Sequence, residues 1–489
     1  MVRPNQQAGI HDFLERQRWF AGKGRTFTIE GIHPLEWLSP PGVWPAVRVE
    51  LVTLRYETGE GDEGGRTDVY QLPLAYRDRP ASESLAHAFV GEWEHPELDA
   101  TVWAYDALHD KEATSYWLRG LLDERAEEDF SFHRTGDVGI SGDEQSLVLT
   151  AEQSNTSLVF DEAALLKVFR RVHHGRNPDI VVHEAFASGG GRNVARLFGW
   201  LEAEWPVGDG GAKVDRGDLG MFSDFFRTAT DGWELAITSV RDLYAEADLH
   251  ADEVGGDFAA ESYRLGATTA EVHTDLARLL QTAVWGPIEL AKVTHGMYGR
   301  LDLATSLVPE LAAYHEALRS AYDDLANYPD PVPVQRIHGD LHLGQTMRTV
   351  AGWRLIDFEG EPARAFAERD ALDSPVRDVA GMLRSFDYAA QHLLTGTERP
   401  DALRGPGSED HGQLEYRAQE WSDRNRAAFC EGYASVAGAD LRDQAVLMRA
   451  YETDKAVYEV VYESRTRPDW VKIPLAAVRR LAGVDQEAT

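Results

Sequence analysis

Three oxygen-bearing side chains lie close together in one short part of the sequence. Asp340 ends the turn His338-Gly339-Asp340, and Gln345 follows it by five positions. Asp357, 17 positions after Asp340, directly follows the strand-like run Trp353–Ile356. A carboxylate can accept the proton of an attacking hydroxyl, and amide and carboxylate oxygens are ligands that Mg²⁺ prefers. The pattern indicates transfer of a phosphoryl group to a hydroxyl, with Asp340 as base and Gln345 and Asp357 as Mg²⁺ ligands.

The order of these residues is that of the catalytic face of protein kinases. There a catalytic-loop Asp, an Asn five positions later and a second Asp after a short strand supply the base and the metal ligands. The alternative is a structural turn between two buried strands, in which each Asp caps local N–H groups. A lone His-Gly-Asp would favour that alternative, but its combination with the amide, the strand and the second Asp favours phosphoryl transfer.

A lysine in an apolar strand is the second candidate element. Lys167 lies within the run Ala164–Arg170, and the turn-forming stretch Ser154-Asn155-Thr156 precedes it. An unpaired lysine is costly to bury, so we expect Lys167 to meet phosphate or carboxylate; the alternative is an exposed lysine on an edge strand. The sequence has no Gly-x-Gly-x-x-Gly here, so Ser154, Asn155 and Thr156 would supply hydroxyl, amide and backbone N–H groups to ATP.

Several other polar residues have two possible roles. Asn177-Pro178-Asp179 is typical of a helix start; Glu184 on that helix is the candidate partner of Lys167 at the nucleotide site, and Asp179 is interpreted as a helix cap. His273 is predicted to lie on a helix face. Arg377 and Asp378 either brace the metal-binding loop from behind or pair with each other at the surface.

Composition excludes some classes of function. A chain of 489 residues with 43% hydrophobic and 10% aromatic residues is a folded protein of two or three domains. A formal charge of −33 argues against nucleic acid or an anionic membrane surface as a partner. A single cysteine, Cys430, fits the reducing cytoplasm. We predict no membrane span and no signal peptide, a hairpin loop over 59–65, and a hinge near 205–222.

The chain resembles the actinobacterial maltokinases, which belong with the aminoglycoside-phosphotransferase and kinase-like proteins. The blocks that carry the resemblance are Arg16–Gly22, Glu152–Ser157, Leu166–Arg171, Glu253–Phe258, His338–Gln345, Asp357–Pro362, Arg377–Gly381 and Lys455–Glu459. They run from about residue 10 to the end of the chain. One departure concerns the nucleotide site: the family continues after Asn177–Ile180 with Glu and Leu, whereas this chain has Val181-Val182-His183-Glu184.

The resemblance implies an α+β fold of the bilobal, protein-kinase-like type. Residues 1–90 would form an N-terminal cap domain, 91–206 a kinase-like N-lobe or intermediate subdomain, and 207–489 a mainly helical C-lobe with the catalytic and sugar sites. The implied reaction is ATP + maltose = ADP + maltose 1-phosphate, with Mg²⁺ as cofactor. Lys167 would bind phosphates, Asp340 would act as base, and Gln345 and Asp357 would hold the metal.

The resemblance also implies a pathway and leaves two other functions open. Maltose 1-phosphate would feed α-glucan synthesis from trehalose, so a maltosyltransferase or a trehalose synthase is the expected pathway partner. A glucosamine or aminoglycoside kinase of the same fold is the first alternative, because Glu359, Glu361 and Asp387 could attract a cationic sugar. The second is a catalytically inactive nucleotide- or sugar-binding module, which would have no need of both a base and a metal site.

Overall fold

The computed structural model describes residues 4–57, 67–149, 154–207, 213–246, 248–361, 364–395 and 408–483. The chain divides into two compact units. The first unit comprises Met1–Ala187 and Ala195–Arg227, and the second comprises Ser188–Val194 and Thr228–Thr489. No helix among the described residues is both long enough and apolar enough to cross a membrane.

The first unit begins with one helix and a sheet. The elements are α1 (Pro4–Arg16), β1 (Phe27–Pro34), β2 (Ala46–Tyr56), β3 (Thr67–Arg77), β4 (Phe89–His95) and β5 (Ala100–Asp106). The strands pair in the order β1-β2-β3-β5-β4, all antiparallel. Ile10, Phe13 and Leu14 of α1 pack on Val52 and Leu54 of β2, so the helix covers one face of this sheet.

A second sheet completes the first unit. Its elements are α2 (Lys111–Leu122), β6 (Phe130–Arg134), β7 (Ser146–Val148), β8 (Thr156–Phe160), β9 (Ala164–Val168), β10 (Arg171–Val172), α3 (Pro178–Gly189), β11 (Leu197–Val207) and β12 (Lys213–Asp224). The sheet order is β6-β11-β12-β9-β8-β7, and β10 instead pairs with β3 of the first sheet. Side chains of β2 and of β8 and β9, among them Val49, Leu158 and Leu166, share one hydrophobic core, which explains why both sheets form one unit.

The second unit is mainly helical. Its helices are α4 (Gly232–Ala245), α5 (Ala259–Leu279), α6 (Pro287–Leu307), α7 (His315–Ala326), α8 (Phe366–Arg369), α9 (Val376–Thr395), α10 (Ser408–Ala437), α11 (Ala445–Thr466) and α12 (Lys472–Leu481). Its strands are β13 (Thr230–Asp231), β14 (Thr282–Trp285), β15 (Val332–Gln335), β16 (Thr346–Thr349) and β17 (Gly352–Leu355). They form the sheets β13-β16-β17 and β14-β15.

The predicted α+β class, with a mainly helical C-terminal part, is confirmed. The predicted hinge near 205–222 is wrong, because the described residues there belong to β11 and β12, which pair antiparallel in one sheet. The division into three parts stays a prediction, but strand pairing moves its boundaries. Residue 90 lies within β4 and residue 206 within β11. The predicted loop 59–65 lies outside the described residues.

Candidate active site

The turn that carries Asp340 is held by a carboxylate from another part of the chain. Gly339 in this turn has φ +86°, a left-handed conformation that glycine adopts without steric cost. Asp378, in the first turn of α9, is buried and accepts the N–H groups of His338 at 2.7 Å and Gly339 at 2.8 Å. Charge-assisted bonds to two consecutive N–H groups fix the backbone of the turn. Asp378 therefore braces the Asp340 turn and does not pair at the surface.

A buried histidine completes this brace. His273 on α5 is buried, with Nε2 at 3.0 Å from Asp378 and Nδ1 at 2.9 Å from the hydroxyl of Tyr433. Burial raises the pKa of Asp378, but the hydrogen bond and charge of His273 lower it overall, so the carboxylate stays ionised. The predicted place of His273 on a helix is confirmed, and its contact with Asp378 adds a role that the prediction did not include. Arg377 points to other partners, Asp373 at 3.0 Å and Glu361 at 2.8 Å.

The two predicted metal ligands lie side by side because of a hairpin. β16 and β17 pair with Thr346 opposite Leu355, and the N–H of Ile356 donates to the carbonyl of Gln345 at 3.1 Å. Gln345 and Asp357 thus flank the open end of the hairpin, and Nε2 of Gln345 donates to Oδ2 of Asp357 at 2.9 Å. Asp357 has φ +68°, a strained conformation for a residue with a side chain and one that is concentrated at functional sites.

This pair is chemically suited to Mg²⁺. The amide nitrogen of Gln345 donates to Asp357. The amide oxygen of the same side chain can then act as a metal ligand. Amide and carboxylate oxygens are hard ligands, and Mg²⁺ typically takes only one or two carboxylates and completes its shell with phosphates and water. Gln345 and Asp357 therefore fit the predicted role in residue type and in mutual placement.

Asp340 has a cationic neighbour that sequence reasoning missed as a site residue. Nζ of Lys455 on α11 donates to Oδ1 of Asp340 at 3.1 Å, and the two side chains are 25% and 19% exposed. Burial by itself raises the pKa of Asp340, but the Lys455 ammonium and the neighbouring histidines lower it to about 2. Burial likewise lowers the pKa of Lys455, and the Asp340 carboxylate raises it overall. The pair is therefore ionised at neutral pH.

Aromatic side chains continue from Lys455 along the same side of α11. Lys455, Tyr458 and Tyr462 are three and four positions apart, which places them on one helix face. The Lys455 ammonium lies 5.3 Å from the centroid of the Tyr458 ring, and the Tyr458 and Tyr462 rings stack with centroids 6.2 Å apart. Tyr462 is 42% exposed. Lys455, Tyr458 and Tyr462 form a row of side chains, called here the α11 row, that begins beside Asp340 and contains two aromatic rings.

Lys167, in the first unit, is buried and paired with a different carboxylate from the one predicted. Its Nζ donates to Oδ2 of Asp179 at 3.0 Å, in the first turn of α3. Burial raises the pKa of Asp179, but Lys167 and His183 lower it overall. The prediction of Glu184 as partner is wrong: Glu184 lies five positions beyond Asp179, on another side of the helix, and accepts from Arg176 at 3.1 Å.

The polar stretch before β8 is only partly exposed. Ser154 is exposed, whereas Asn155 and Thr156 are buried. The hydroxyl of Thr156 accepts a hydrogen bond from Nε of Arg170 at 2.8 Å, so this hydroxyl is already engaged within the protein. The role of Ser154, Asn155 and the backbone N–H of Thr156 in binding the phosphates of ATP stays a prediction. Glu152 and Gln153 of the same block lie outside the described residues.

Comparison with known proteins identifies relatives of this chain. Residues 13–110 match the model of the maltokinase N-terminal cap domain. A glucosamine kinase from Streptacidiphilus jiangxiensis is 26% identical over 359 residues, covering 70% of this chain and 73% of the relative. Another, from Mycolicibacterium smegmatis, is 27% identical over 344 residues, covering 68% of this chain and 78% of the relative.

Solved structures of glucosamine kinase share the fold. The complex with glucosamine, ADP and inorganic phosphate superposes with a TM-score of 0.64 at 19% identity, over 98% of this chain and 100% of the other. Crystal form B gives a TM-score of 0.64 at 20% identity, over 94% and 95%. The fold is therefore kinase-like. The resemblance predicted from the sequence motifs is confirmed: residues 13–110 match the maltokinase N-terminal cap domain, and the chain has the fold of glucosamine kinase.

Proposed function

We propose that this protein is an ATP-dependent sugar kinase that converts maltose to maltose 1-phosphate. The observation that carries the proposal is Asp340: an ionised carboxylate on a turn braced by Asp378, in the same segment as the Gln345–Asp357 pair. The sugar kinases among its relatives support the reaction class. The proposed setting is the cytoplasm, where a maltosyltransferase would consume the product.

In the proposed mechanism Asp340 orients the anomeric hydroxyl of maltose and takes its proton. A new bond forms between this hydroxyl oxygen and the γ-phosphorus while the bond to the β-γ bridging oxygen breaks, which releases ADP. Phosphoryl transfer has a loose transition state that asks mainly for positioning and charge stabilisation, so a carboxylate of low pKa suffices. Lys167 would bind phosphates, and Gln345 and Asp357 would hold Mg²⁺, which shields the phosphate charge.

Two features favour a neutral disaccharide. The Lys455 ammonium beside Asp340 would repel the ammonium of an amino sugar at this carboxylate. The α11 row from Lys455 to Tyr462 is about 10 Å long, given the rise per residue of an α-helix. Sugar rings stack their C–H faces on aromatic rings and hydrogen-bond through their hydroxyls. The row is long enough for the second ring of a disaccharide whose first ring lies at Asp340.

Two carboxylates that were candidates for binding a cationic sugar are already neutralised. Glu361 accepts from Arg377 at 2.8 Å. Asp387 is buried and accepts from Arg384 at 2.5 Å and Arg480 at 2.7 Å. Glu359 keeps its candidate role. Glucosamine stays the second candidate substrate, because the two relatives and the solved structures described above are glucosamine kinases.

The test is sugar-dependent ADP release from Mg-ATP with maltose, glucosamine and glucose compared at equal concentrations. We expect release with maltose and an acid-labile 1-phosphate product. ADP release with glucosamine alone would show that glucosamine, and not maltose, is the substrate, and would leave the assignment of the catalytic residues unchanged. Nucleotide binding without release for any sugar would favour the inactive binding module.

The Asp340→Asn variant tests the assignment of the base. It should lower turnover about 10²–10⁴-fold, the usual contribution of a general base, while nucleotide affinity stays near the wild-type value. Asp324→Asn, at an exposed carboxylate that pairs with Arg449 at 3.2 Å, is the matched control. Turnover of the Asp340 variant within a few-fold of this control would overturn the assignment.

A further inference from the structure

A cavity in the second unit is separate from the candidate active site. It has a volume of about 360 Å³ and is lined by residues of α9, α10, α11, α12 and the short helical turn Leu441–Asp443. Asp340, Gln345 and Asp357 are not among the described residues that line it. Sites for small molecules usually have volumes of about 300–1,000 Å³, so this cavity is large enough for a small compound.

Part of the lining of this cavity is apolar. Leu383 on α9, Cys430 on α10 and Met448 on α11 line it, and all three side chains are buried. A methionine side chain is flexible and polarizable, which lets it adapt to the shape of a ligand. Burial raises the pKa of the Cys430 thiol to about 11, so this side chain is uncharged at neutral pH. These residues suit the hydrophobic part of a ligand.

Three arginines bring positive charge to the same cavity. Arg426 on α10, Arg442 in the turn and Arg449 on α11 line it, and Glu452 is the only carboxylate residue among the described residues of the lining. Nη2 of Arg426 donates to both carboxylate oxygens of Glu452, at 3.1 and 2.9 Å. Glu452 is therefore neutralised within the lining, which leaves the charges of Arg442 and Arg449.

The carboxylates that pair with these two arginines do not line the cavity. Asp440 accepts from Nε of Arg442 at 2.9 Å and from Nη2 at 2.5 Å, and Asp324 accepts from Nη1 of Arg449 at 3.2 Å. The Asp324 side chain is 57% exposed, and ion pairs this exposed are weak. An anion in the cavity can therefore bind Arg449 without strong competition, and a guanidinium presents two parallel N–H groups to a carboxylate.

We propose that this cavity binds a small organic acid. Its carboxylate lies at Arg442 and Arg449, and its compact hydrophobic body fills the apolar part of the lining. A cation would meet two arginines, an inorganic anion would leave the apolar part unfilled, and a neutral hydrocarbon would not bind the guanidinium groups. The cavity thus takes a third kind of ligand besides nucleotide and sugar, and this proposal does not depend on the proposed reaction.

Benzoate is the probe, and benzamide and inorganic phosphate are its controls. Benzamide has nearly the shape of benzoate without the charge, and phosphate has the charge without the apolar ring. Calorimetry on the full chain at neutral pH should give a Kd for benzoate at least about tenfold below the Kd of either control, as expected from a charge-assisted hydrogen bond. Saturating maltose or ADP should not displace benzoate.

One pair of variants tests the volume of the cavity. Ala427 on α10 lines the cavity, whereas Ala428 does not, and both residues are half-buried. Ala427→Leu should fill part of the cavity and raise the Kd of benzoate at least about tenfold. Ala428→Leu should leave this Kd near the wild-type value. The melting temperature of each variant shows whether the compared chains are folded.

A second pair of variants tests the charge. Arg449→Met keeps much of the apolar stem but removes the guanidinium, and it should raise the Kd of benzoate about tenfold. Arg465→Met is the matched control, because Arg465 is exposed on the same helix and does not line the cavity. If Arg449→Met does not fold, the Ala427 and Ala428 pair decides.

The single cysteine of the chain locates the probe. Because Cys430 lines the cavity and the sequence has no other cysteine, the rate of alkylation by N-ethylmaleimide reports on this site. Saturating benzoate should slow the alkylation of the wild type, whereas benzamide at the same concentration should not. An unchanged rate at saturating benzoate would place the probe elsewhere and overturn the inference.

Three further results would also overturn it. They are equal Kd values for benzoate and benzamide, equal Kd values for the Ala427→Leu and Ala428→Leu variants, and displacement of benzoate by maltose or ADP. If the wild type releases no ADP with any sugar but binds benzoate in the expected pattern, the proposed reaction fails and the cavity site stands. If sugar-dependent release is present and the benzoate pattern is absent, the cavity site fails and the reaction stands.

Discussion

Replacing Lys455 by methionine should change how the activity falls at acid pH. Lys455 is the cation that donates to Asp340 at 3.1 Å. Methionine keeps much of the apolar stem and removes the charge, so the Asp340 carboxyl would lie partly buried with no cation from α11. Lys455→Arg is the matched control because it keeps a positive charge at the same position.

The magnitude follows from the pKa of Asp340. Burial raises this pKa, but the Lys455 ammonium, together with His342 and His338, lowers it from 3.8 to about 2. At about 1.4 kcal/mol per pH unit, the ionised form is favoured by about 2.5 kcal/mol relative to an ordinary Asp. The folded pKa is depressed, so this stabilisation is present above the ordinary pKa and is lost as pH falls toward 2. Without the Lys455 ammonium, burial still raises the pKa of Asp340 and only the neighbouring histidines still lower it, so this pKa should rise by about two pH units.

The assay is kcat/KM for the sugar, measured by ADP release between pH 4.5 and 8, with the melting temperature recorded at each pH. For the wild type and Lys455→Arg, kcat/KM should not fall in this pH range through protonation of Asp340. Lys455→Met should show such a fall, because the protonated carboxyl cannot accept the hydroxyl proton. Superimposable acid limbs for the wild type and Lys455→Met, at unchanged stability, would refute the role given to the ion pair.

Two further predictions concern buried carboxylates. Asp378→Asn should destabilise the chain by about 3–5 kcal/mol, the usual cost of breaking a buried charge pair, and lower turnover because the turn that carries Asp340 loses its brace; an unchanged urea midpoint would contradict the brace. Asp179→Asn should cost a similar amount by removing the buried carboxylate that accepts from Lys167, whereas Glu184→Gln, at a partly exposed surface pair, should cost less than about 1 kcal/mol. Equal urea midpoints for the last two variants would contradict the assignment of Asp179.

The local sequence pattern was enough to predict those parts of the site whose residues lie close together in the sequence. The β16–β17 hairpin brings Gln345 to Asp357, and a short hairpin is encoded by its own residues. Lys167 was predictable as the charged residue of an otherwise apolar strand. The α+β class, the cap domain and the helical C-terminal part likewise follow from motifs and from the switch between strand and helix periodicity.

Partners distant in sequence required the tertiary structure. Lys455 lies 115 positions from Asp340, and Asp378 lies 40 positions from His338. A periodic pattern shows which face of a helix is buried but not which side chain meets it, so the sequence placed His273 on a helix but did not reveal its contact with Asp378.

The same limit explains the choice of Glu184 over Asp179. Both residues lie on the predicted helix, and only the placement of α3 against β9 selects the carboxylate that reaches Lys167. The sequence by itself determined the chemical groups, their order and the local turns that present them. The tertiary structure alone decided how their charges are compensated, because the environment of a buried group is set by segments far away in the chain.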